Sequence, residues 1–110
     1  RITTQALQQG ISFTAVFAFS DEAALGVISA LAERGLRVPE DVSVMGFDGI
    51  SLSRQVTPKL TTIRQPIKKM IEQTLDTFQN QKREENIEIT LPYKLEEGET
   101  CILNQKILKE

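Results

Sequence analysis

Three neighbouring stretches predict an α/β fold, a three-layer lobe in which helices cover a parallel sheet. Ala15–Phe19 is a short apolar run that does not alternate, as in a strand buried on both faces. Between Asp21 and Arg34, apolar residues recur at helical spacing. Val42–Phe47 is a second apolar run. A strand, a helix and a strand in this order indicate a parallel crossover, and such sheets bind ligands at the carboxyl ends of their strands.

The central helix has clear signals at both ends. Ser20 and Asp21 end the first strand, and both are residue types that cap helices. We expect Asp21 to be the cap, which leaves Ser20 facing the crevice at the strand end. Gly35 stands where a left-handed residue ends a helix, and Pro39 prevents the helix from resuming.

Further elements are predicted on either side of this unit. Arg1–Gln9 is typical of the last turns of a helix, and Gly10 fits its carboxyl-terminal cap. Because that helix has no start signal, we expect the chain to be a piece of a longer protein. Ile50–Lys59 predicts a loop or short irregular helix, and Leu60–Ile63 predicts a third strand.

A second amphipathic helix is predicted after Pro66, which fits the first helical position. Its apolar stripe consists of Ile67, Met70, Ile71, Leu75 and Phe78. The charged run Asn80–Asn86 then predicts a solvated connector.

The remaining sequence predicts short extended segments. Ile87–Leu91 alternates apolar and polar residues, as in a half-buried edge strand. Pro92 interrupts the ladder, and Tyr93–Leu95 continues extended. Thr100–Leu103 is a candidate last strand.

Length and charge exclude several classes of protein. At 110 residues the chain is one domain or less. A formal net charge of −2 does not provide the excess of positive charge that favours binding to nucleic acid or to an anionic membrane. No apolar run approaches the ~20 residues that span a bilayer. The single cysteine, Cys101, cannot form an internal disulfide, which suits a reducing compartment.

The usual catalytic and cofactor sites are also excluded by composition. The chain has no histidine, so it has no Ser-His or Cys-His pair and no histidine-based zinc site. One cysteine excludes thiolate clusters, and the glycine-rich phosphate loops are absent. Adjacent carboxylates occur at caps and turns, where solvation explains them. We therefore predict no catalytic residue, no metal and no cofactor.

Asp48 is the strongest candidate for ligand binding. It follows an apolar strand and lies between Gly46 and Gly49, so a ligand and the backbone can approach closely. A fixed carboxylate makes strong hydrogen bonds to sugar hydroxyls, although an Asx turn explains the pattern equally well. Gln65 has two interpretations, a hinge residue that reaches the cleft or a helix cap. Leu25 belongs either to the core or to a subunit interface.

At these residues the chain resembles a known family. DEAALGVISALAERGLRVPEDVSVMGFDG followed by TPKLTTIRQP is similar to the effector-binding domain of LacI/GalR bacterial transcriptional regulators, over about Phe13 to Leu95. The resemblance implies a periplasmic-binding-protein-like domain of two α/β lobes joined by three crossovers. Residues 1–110 would be the C-terminal part of one such domain. Residues 1–64 and 93–110 would belong mainly to the C-terminal lobe, and 65–92 would supply elements of the N-terminal lobe.

The resemblance also assigns roles to particular residues. Asp48 matches the family's ligand-binding aspartate, Ser20 a position that contacts effector, and Gln65 a hinge glutamine near the ligand. The helix from Asp21 to Arg34 and the loop near Arg54 to Val56 resemble the region through which these lobes dimerise. The implied dimer-interface residues are Leu25, Ile28, Arg54 and Val56.

Two departures from the family pattern concern the site. Ser20 replaces a common asparagine, and Gly49 stands where a second acidic residue is frequent. The stretch LEEGETC is closer to maltose-type regulators of Gram-positive bacteria.

The resemblance implies a cytoplasmic, homodimeric repressor that responds to a small sugar such as maltose. It would contact operator DNA only through a helix-turn-helix absent from this chain, and would have no membrane partner. The first alternative is a sugar-binding protein of a transport system, which an upstream signal peptide would indicate. The second is an α/β enzyme, which would lose turnover when Asp48 is changed.

Overall fold

A computed structural model describes residues 1–80, 86 and 88–103. The helices are α1 (Ile2–Gln8), α2 (Asp21–Glu33) and α3 (Ile67–Asn80), with a 3-10 turn at Ser51–Arg54. The strands are β1 (Ala15–Phe17), β2 (Ser43–Asp48), β3 (Thr61–Arg64) and β4 (Lys94–Glu96). None of the described helices is both long and apolar enough to cross a bilayer.

The four strands form one sheet in the order β1-β2-β3-β4. The first three strands are parallel, and β4 runs antiparallel to β3. Val16 lies beside Val44, and Gly46 lies beside Thr62. Because β1, α2 and β2 form the expected parallel crossover, the α/β class and the largely parallel sheet are confirmed.

The core lies between α2 and one face of this sheet. Ala24 and Leu31 of α2 pack with Val44 and Ala18, and all four are buried. Leu7 of α1 packs against the same cluster. Burying one such leucine contributes roughly 1.5–3 kcal/mol, so α2 is held to the sheet mainly by this apolar contact.

The other face of β1 is open to solvent. Phe17 is 62% exposed and Phe19 is 84% exposed, although Phe17 makes an edge-to-face contact with Phe47 at 6.5 Å between ring centroids. The prediction that the Ala15–Phe19 run is buried on both faces is therefore wrong for the described structure. The physical reason is that, among the described residues, helix packing covers only the α2 side of β1.

The helix ends follow the sequence signals. Gly10 and Gly35, after α1 and α2, have φ values of 74° and 71°. A side chain at either position would be strained, because residues with a Cβ avoid this region. The predicted ends of α1 and α2 are thus confirmed.

Helix α3 begins at Ile67, one residue after Pro66, and none of its residues is buried. Its apolar stripe is exposed, and Phe78 reaches 86%. A depression of about 450 Å³ separates part of this stripe from Ile89 and Leu91. The helix is confirmed, and its apolar face has no close-packed cover among the described residues.

The predicted strand at Ile87–Leu91 is wrong for residues 88–91, which make no strand pairing. These residues lie beside a helix, where no backbone ladder is available to pair with them. Ile87, and residues 81–85 of the predicted connector, lie outside the described residues.

The predicted last strand, Thr100–Leu103, is not a regular strand, but its first residues are bonded to β2. Val44 N donates to Thr100 O at 2.8 Å. The Thr100 hydroxyl donates to Val44 O at 2.6 Å and accepts from Thr61 N at 3.0 Å. The Cys101 thiol lies 3.3 Å from Val44 O. Thr100 therefore bonds the β2 backbone at Val44, one residue before the pairing of β2 with β3 starts at Met45.

Candidate functional site

Polar residues follow the carboxyl ends of the three parallel strands. Ser20 comes after β1, Asp48 ends β2, and Gln65 follows β3. Since parallel strands end at the same edge of a sheet, these residues lie along one edge. This is where open α/β sheets bind ligands.

Asp48 and Gln65 are in direct contact. Gln65 Nε2 donates to Asp48 Oδ1 at 2.6 Å, and Gln65 N donates to Asp48 O at 3.3 Å. The carboxylate is therefore held by the amide of Gln65, which follows β3, and not by an Asx turn, because Ile50 N donates to Asp21 instead. The Gln65 interpretation as a residue that reaches the strand-end crevice agrees with this contact.

The backbone of Asp48 is strained. Its φ is 118°, and among the described residues Asp48 is the one non-glycine residue with positive φ. Such conformations cost on the order of 1–3 kcal/mol and persist where the surroundings impose them. Gly49 follows with a φ of 74°, and a Cβ there would lie 2.8 Å from Arg64 Cβ. The turn at Asp48 is thus pressed tightly against the end of β3.

A depression of about 370 Å³ opens beside this pair. Its lining contains Asp48, Gly49, Arg64, Gln65, Pro66, Ile67, Lys68 and Lys69. It combines one carboxylate, one amide and three cationic side chains, which suits a small polar molecule. Ser20 is not among the lining residues, so the structure joins two of the three predicted ligand-binding residues in one depression.

Ser20, rather than Asp21, caps helix α2. The Ser20 hydroxyl oxygen accepts from Ala23 N at 3.1 Å. The expectation that Asp21 is the cap is therefore wrong, because serine is as good a cap as aspartate and stands one residue earlier. A serine hydroxyl that accepts one hydrogen bond keeps its proton for a second partner. Ser20 can thus still donate to a ligand at the sheet edge.

Asp21 is a residue that the sequence reasoning missed. Its side chain is only 1% exposed. Asp21 Oδ2 accepts from Ile50 N at 2.8 Å, and Asp21 Oδ1 accepts from the Thr62 hydroxyl at 2.5 Å. The sequence signal for this buried role is the adjacent polar pair, Ser20 and Asp21. Since one residue is enough to cap the helix, the other is free to point inward.

The predicted dimer-interface residues lie on helix α2 and in or just after the 3-10 turn. Ile28 packs partly against the core, and it lines a depression of about 490 Å³ with Thr57 and Pro58. Leu25 and Val56 are half-buried. Arg54 Nη1 lies 3.4 Å from a Glu96 carboxylate oxygen. Helix α2 and the segment after the 3-10 turn therefore meet at one surface, which the dimer prediction requires.

The site has no features of a metal centre. Within residues 1–80, 86 and 88–103, no group of three or more His, Cys, Asp or Glu side chains is placed to hold an ion. Acceptors and donors at the sheet edge instead suit hydroxyl groups. The arrangement can bind and orient a small polyhydroxylated molecule.

Comparison with known proteins identifies relatives that are transcriptional regulators. The sequence profile described as a periplasmic binding protein-like domain matches residues 2–101. The HTH-type transcriptional regulator MalR of Clostridium butyricum is 39% identical over 97 residues, which cover 86% of this chain and 29% of that protein.

Solved structures show the same relationship. A LacI family transcriptional regulator from Enterococcus faecium with bound ribose has a TM-score of 0.72 and 34% identity, and the match covers 90% of this chain and 39% of that one. The lac repressor dimer bound to operator and an anti-inducer has a TM-score of 0.78 and 35% identity, with 93% and 36% covered. The chain thus spans between about three tenths and two fifths of the length of these relatives.

Proposed function

This chain belongs to the periplasmic binding protein-like family, as part of the effector-binding domain of a LacI-family regulator, and we propose that it senses a small sugar for a bacterial transcriptional repressor. The observation that carries the proposal is the contact between Asp48 and Gln65 at the carboxyl edge of the sheet. Asp48 accepts hydrogen bonds from sugar hydroxyls, and the Gln65 amide orients the carboxylate. Ser20 supplies a further donor at the same edge.

A sugar is the favoured class of ligand for two reasons. A charged acceptor makes stronger hydrogen bonds to hydroxyls than a neutral one does. The Enterococcus faecium relative holds ribose, and the relative with 39% identity is named MalR. We propose a small sugar such as maltose as the effector.

The regulatory mechanism follows from a cleft between two lobes. In this proposal, the described residues 1–64 and 93–103 form most of one wall, and residues 65–80 and 88–92 contribute to the other lobe. A sugar that contacts both walls binds one lobe arrangement more tightly than another. This differential affinity shifts the lobe equilibrium and, through it, the geometry of the DNA-binding heads.

The proposed assembly is a cytoplasmic homodimer. The lac repressor relative is a dimer bound to operator, and the surface that carries Leu25, Ile28, Arg54 and Val56 is the proposed contact between subunits. Operator DNA is contacted by a helix-turn-helix outside these 110 residues. We propose neither a membrane partner nor a catalytic reaction for this chain.

The transport alternative is less well supported than regulation. The relatives described above are transcriptional regulators, and the Val38–Asp41 connection also resembles regulators more than transport proteins. The sequence upstream of Arg1 decides between the two, because a regulator has a helix-turn-helix there and a transport protein has a signal peptide.

The experiment is a calorimetric titration of the full-length protein with maltose, ribose and lactose. One of these sugars is expected to bind, and Asp48→Asn is expected to weaken that sugar by about tenfold or more, since a hydrogen bond to a charged group contributes roughly 1.5–3 kcal/mol. Asparagine has nearly the same shape and keeps an oxygen for Gln65. Glu22→Gln, which changes an exposed carboxylate in the first turn of α2, is the control. Undiminished affinity in Asp48→Asn contradicts the proposal.

A further inference from the structure

Asp21 is the one charged residue among the described residues whose side chain is withdrawn from solvent. A buried carboxylate is costly unless hydrogen bonds compensate the loss of water. Both of its oxygens have such partners, one in the backbone of Ile50 and one in the hydroxyl of Thr62. The carboxylate is therefore satisfied and fixed by groups from two other segments of the chain.

These partners connect Asp21 to each predicted ligand-binding residue. Ser20 is its neighbour in the chain. Ile50 comes two residues after Asp48, in the turn that leaves β2. Thr62 lies in β3, three residues before Gln65. A single carboxylate thus joins the three segments that carry Ser20, Asp48 and Gln65.

The space around the carboxylate is closed on the β2 side. A Cβ built on Gly46 would collide with Asp21 Oδ1 and would lie 2.9 Å from Leu60 Cδ2. Gly46 also pairs with Thr62 across the sheet. The carboxylate therefore rests directly against the backbone of β2, and neither the helix start nor the strand can shift without breaking its hydrogen bonds.

We propose that Asp21 is a positioning residue that sets the relative placement of Ser20, Asp48 and Gln65, acting through Ile50 and Thr62. The strained backbone of Asp48 must be imposed by its surroundings, and the bond from Asp21 to Ile50 holds the turn immediately after it. The importance of this placement for effector binding rests on the proposed function, whereas the placement itself does not.

Two matched substitutions separate positioning from general stability. Thr62→Val removes a buried hydroxyl that donates to Asp21. Thr100→Val removes a buried hydroxyl that bonds Val44 and Thr61 and makes no contact with Asp21. Both residues are fully buried, and valine nearly preserves the shape of threonine. The substitutions therefore remove similar buried hydroxyls, and of the two only Thr62 donates to Asp21.

The first measurement is made without any sugar. The full-length protein is labelled with ¹⁵N-glutamine, and the side-chain amide signals of Gln65 are assigned by their absence in Gln65→Ala. In the wild type these signals are expected away from those of solvated glutamines, because the amide is bound to Asp48. Thr62→Val is expected to move them towards the solvated position, and Thr100→Val is expected to leave them in place. Unmoved signals in Thr62→Val, or equal movement in both variants, would overturn the proposal.

Conservative changes provide a second test that does not depend on the folding of Thr62→Val. Thr62→Ser and Thr62→Ala both lose a methyl group, but serine keeps the donor. The Gln65 signals are expected to stay in the serine variant and to move in the alanine variant. Asp21→Asn also keeps both contacts, because its amide oxygen accepts from Ile50 and its NH₂ donates to the threonine oxygen. If the Gln65 signals move in both Thr62→Ser and Thr62→Ala, or in neither, the result contradicts a positioning role for Asp21.

The second measurement addresses effector binding. For whichever of maltose, ribose and lactose binds the wild type, Thr62→Val is expected to bind at least tenfold more weakly, while Thr100→Val keeps wild-type affinity. Equal affinities in all three proteins would show that this placement has no part in binding. If the wild type binds none of these sugars, the proposed sugar specificity fails, and the glutamine spectra still decide the role of Asp21.

Discussion

Asp48 combines a strained backbone with a directed side chain. Its φ of 118° is unfavourable for a residue with a Cβ, and its carboxylate is aligned by Gln65 at 2.6 Å. Strain of this kind is common at ligand-binding positions, where the geometry of the bound state is built in beforehand. The strain lowers the stability of the fold, and under the proposed function the directed carboxylate prepares the sheet edge for a sugar.

Replacement by glycine or alanine separates these two effects. Both Asp48→Gly and Asp48→Ala remove the carboxylate and its bond to Gln65, but glycine alone relieves the strain. We expect Asp48→Gly to be more stable than Asp48→Ala by about 1 kcal/mol in urea unfolding of the full-length protein. Neither variant is expected to bind sugar. If Asp48→Ala is as stable as Asp48→Gly, the result contradicts the presence of backbone strain at this position.

The sequence singles out the turn at Asp48 but does not predict the contacts of Asp21. The glycines around Asp48 require a close backbone approach, which is a local signal. The role of Asp21 depends on Ile50 and Thr62, which are 29 and 41 residues away along the chain. A local pattern cannot specify such partners, so the residue was assigned to the commoner role of a helix cap.

The turn between α2 and β2 contains an ion pair on the surface. Arg37 donates to Asp41 from its backbone N at 2.7 Å, from Nε at 3.0 Å and from Nη2 at 3.1 Å. The side-chain hydrogen bonds from Arg37, followed by the bond from its backbone N–H, lower the pKa of the Asp41 carboxyl group. Asp41 therefore remains ionised to a lower pH in the folded chain than in the unfolded chain.

This shift predicts a pH dependence for Asp41→Asn. The stabilisation is fully present above the pKa of the unfolded state, about 3.9, and is lost as the pH falls through the lower folded value. The wild type should thus exceed the variant in free energy of unfolding at pH 7, and the two should converge under acid conditions. The effect will be small because the pair is exposed. Urea titrations from pH 7 to pH 3 measure it, with Glu40→Gln as a control that keeps the three hydrogen bonds.

At the scale of elements, helices were easier to predict than strands. Helices α2 and α3 follow from an apolar period within each segment, with Gly35 and Pro66 marking boundaries. The exposure of β1 did not follow from its sequence, because a strand's second face is buried only if another element covers it. An apolar run indicates that another element buries the strand, but it does not identify that element.

The residues of helix α2 differ in exposure. Leu31 is fully buried against the sheet, whereas Leu25 is half-buried and belongs to the proposed subunit contact. We expect Leu25→Arg to weaken dimerisation of the full-length protein at least tenfold in sedimentation equilibrium, because an unpaired charge would be buried at the interface. Glu33→Arg, which places the same side chain on an exposed site of α2, is the control. Equal dimer dissociation constants in both variants would contradict the proposed interface.

At the scale of the whole molecule, the apolar surface is incompletely covered. Phe17, Phe19, Leu75 and Phe78 are between 57% and 86% exposed. Exposed apolar groups of this extent are typical of surfaces that contact another part of a protein.

The 110-residue chain alone is therefore expected to self-associate. Phe19→Ser combined with Phe78→Ser should lower this association, since it removes the two most exposed aromatic side chains of the set. Sedimentation velocity over a range of concentrations measures the effect, and Lys94→Ser is the control at another exposed position. A wild-type chain that remains monomeric at high concentration would contradict the expectation.

The bond between Cys101 and β2 makes the thiol a natural reporter. Cys101 is the single cysteine of the chain, it is half-buried, and its sulfur lies 3.3 Å from Val44 O. An alkylating reagent reaches such a sulfur fully when the segment around Thr100 separates from the sheet. The alkylation rate therefore measures how often this edge opens, in the way that hydrogen exchange measures local unfolding. In the 110-residue chain this opening can be followed with no engineered label, because Cys101 is its single thiol.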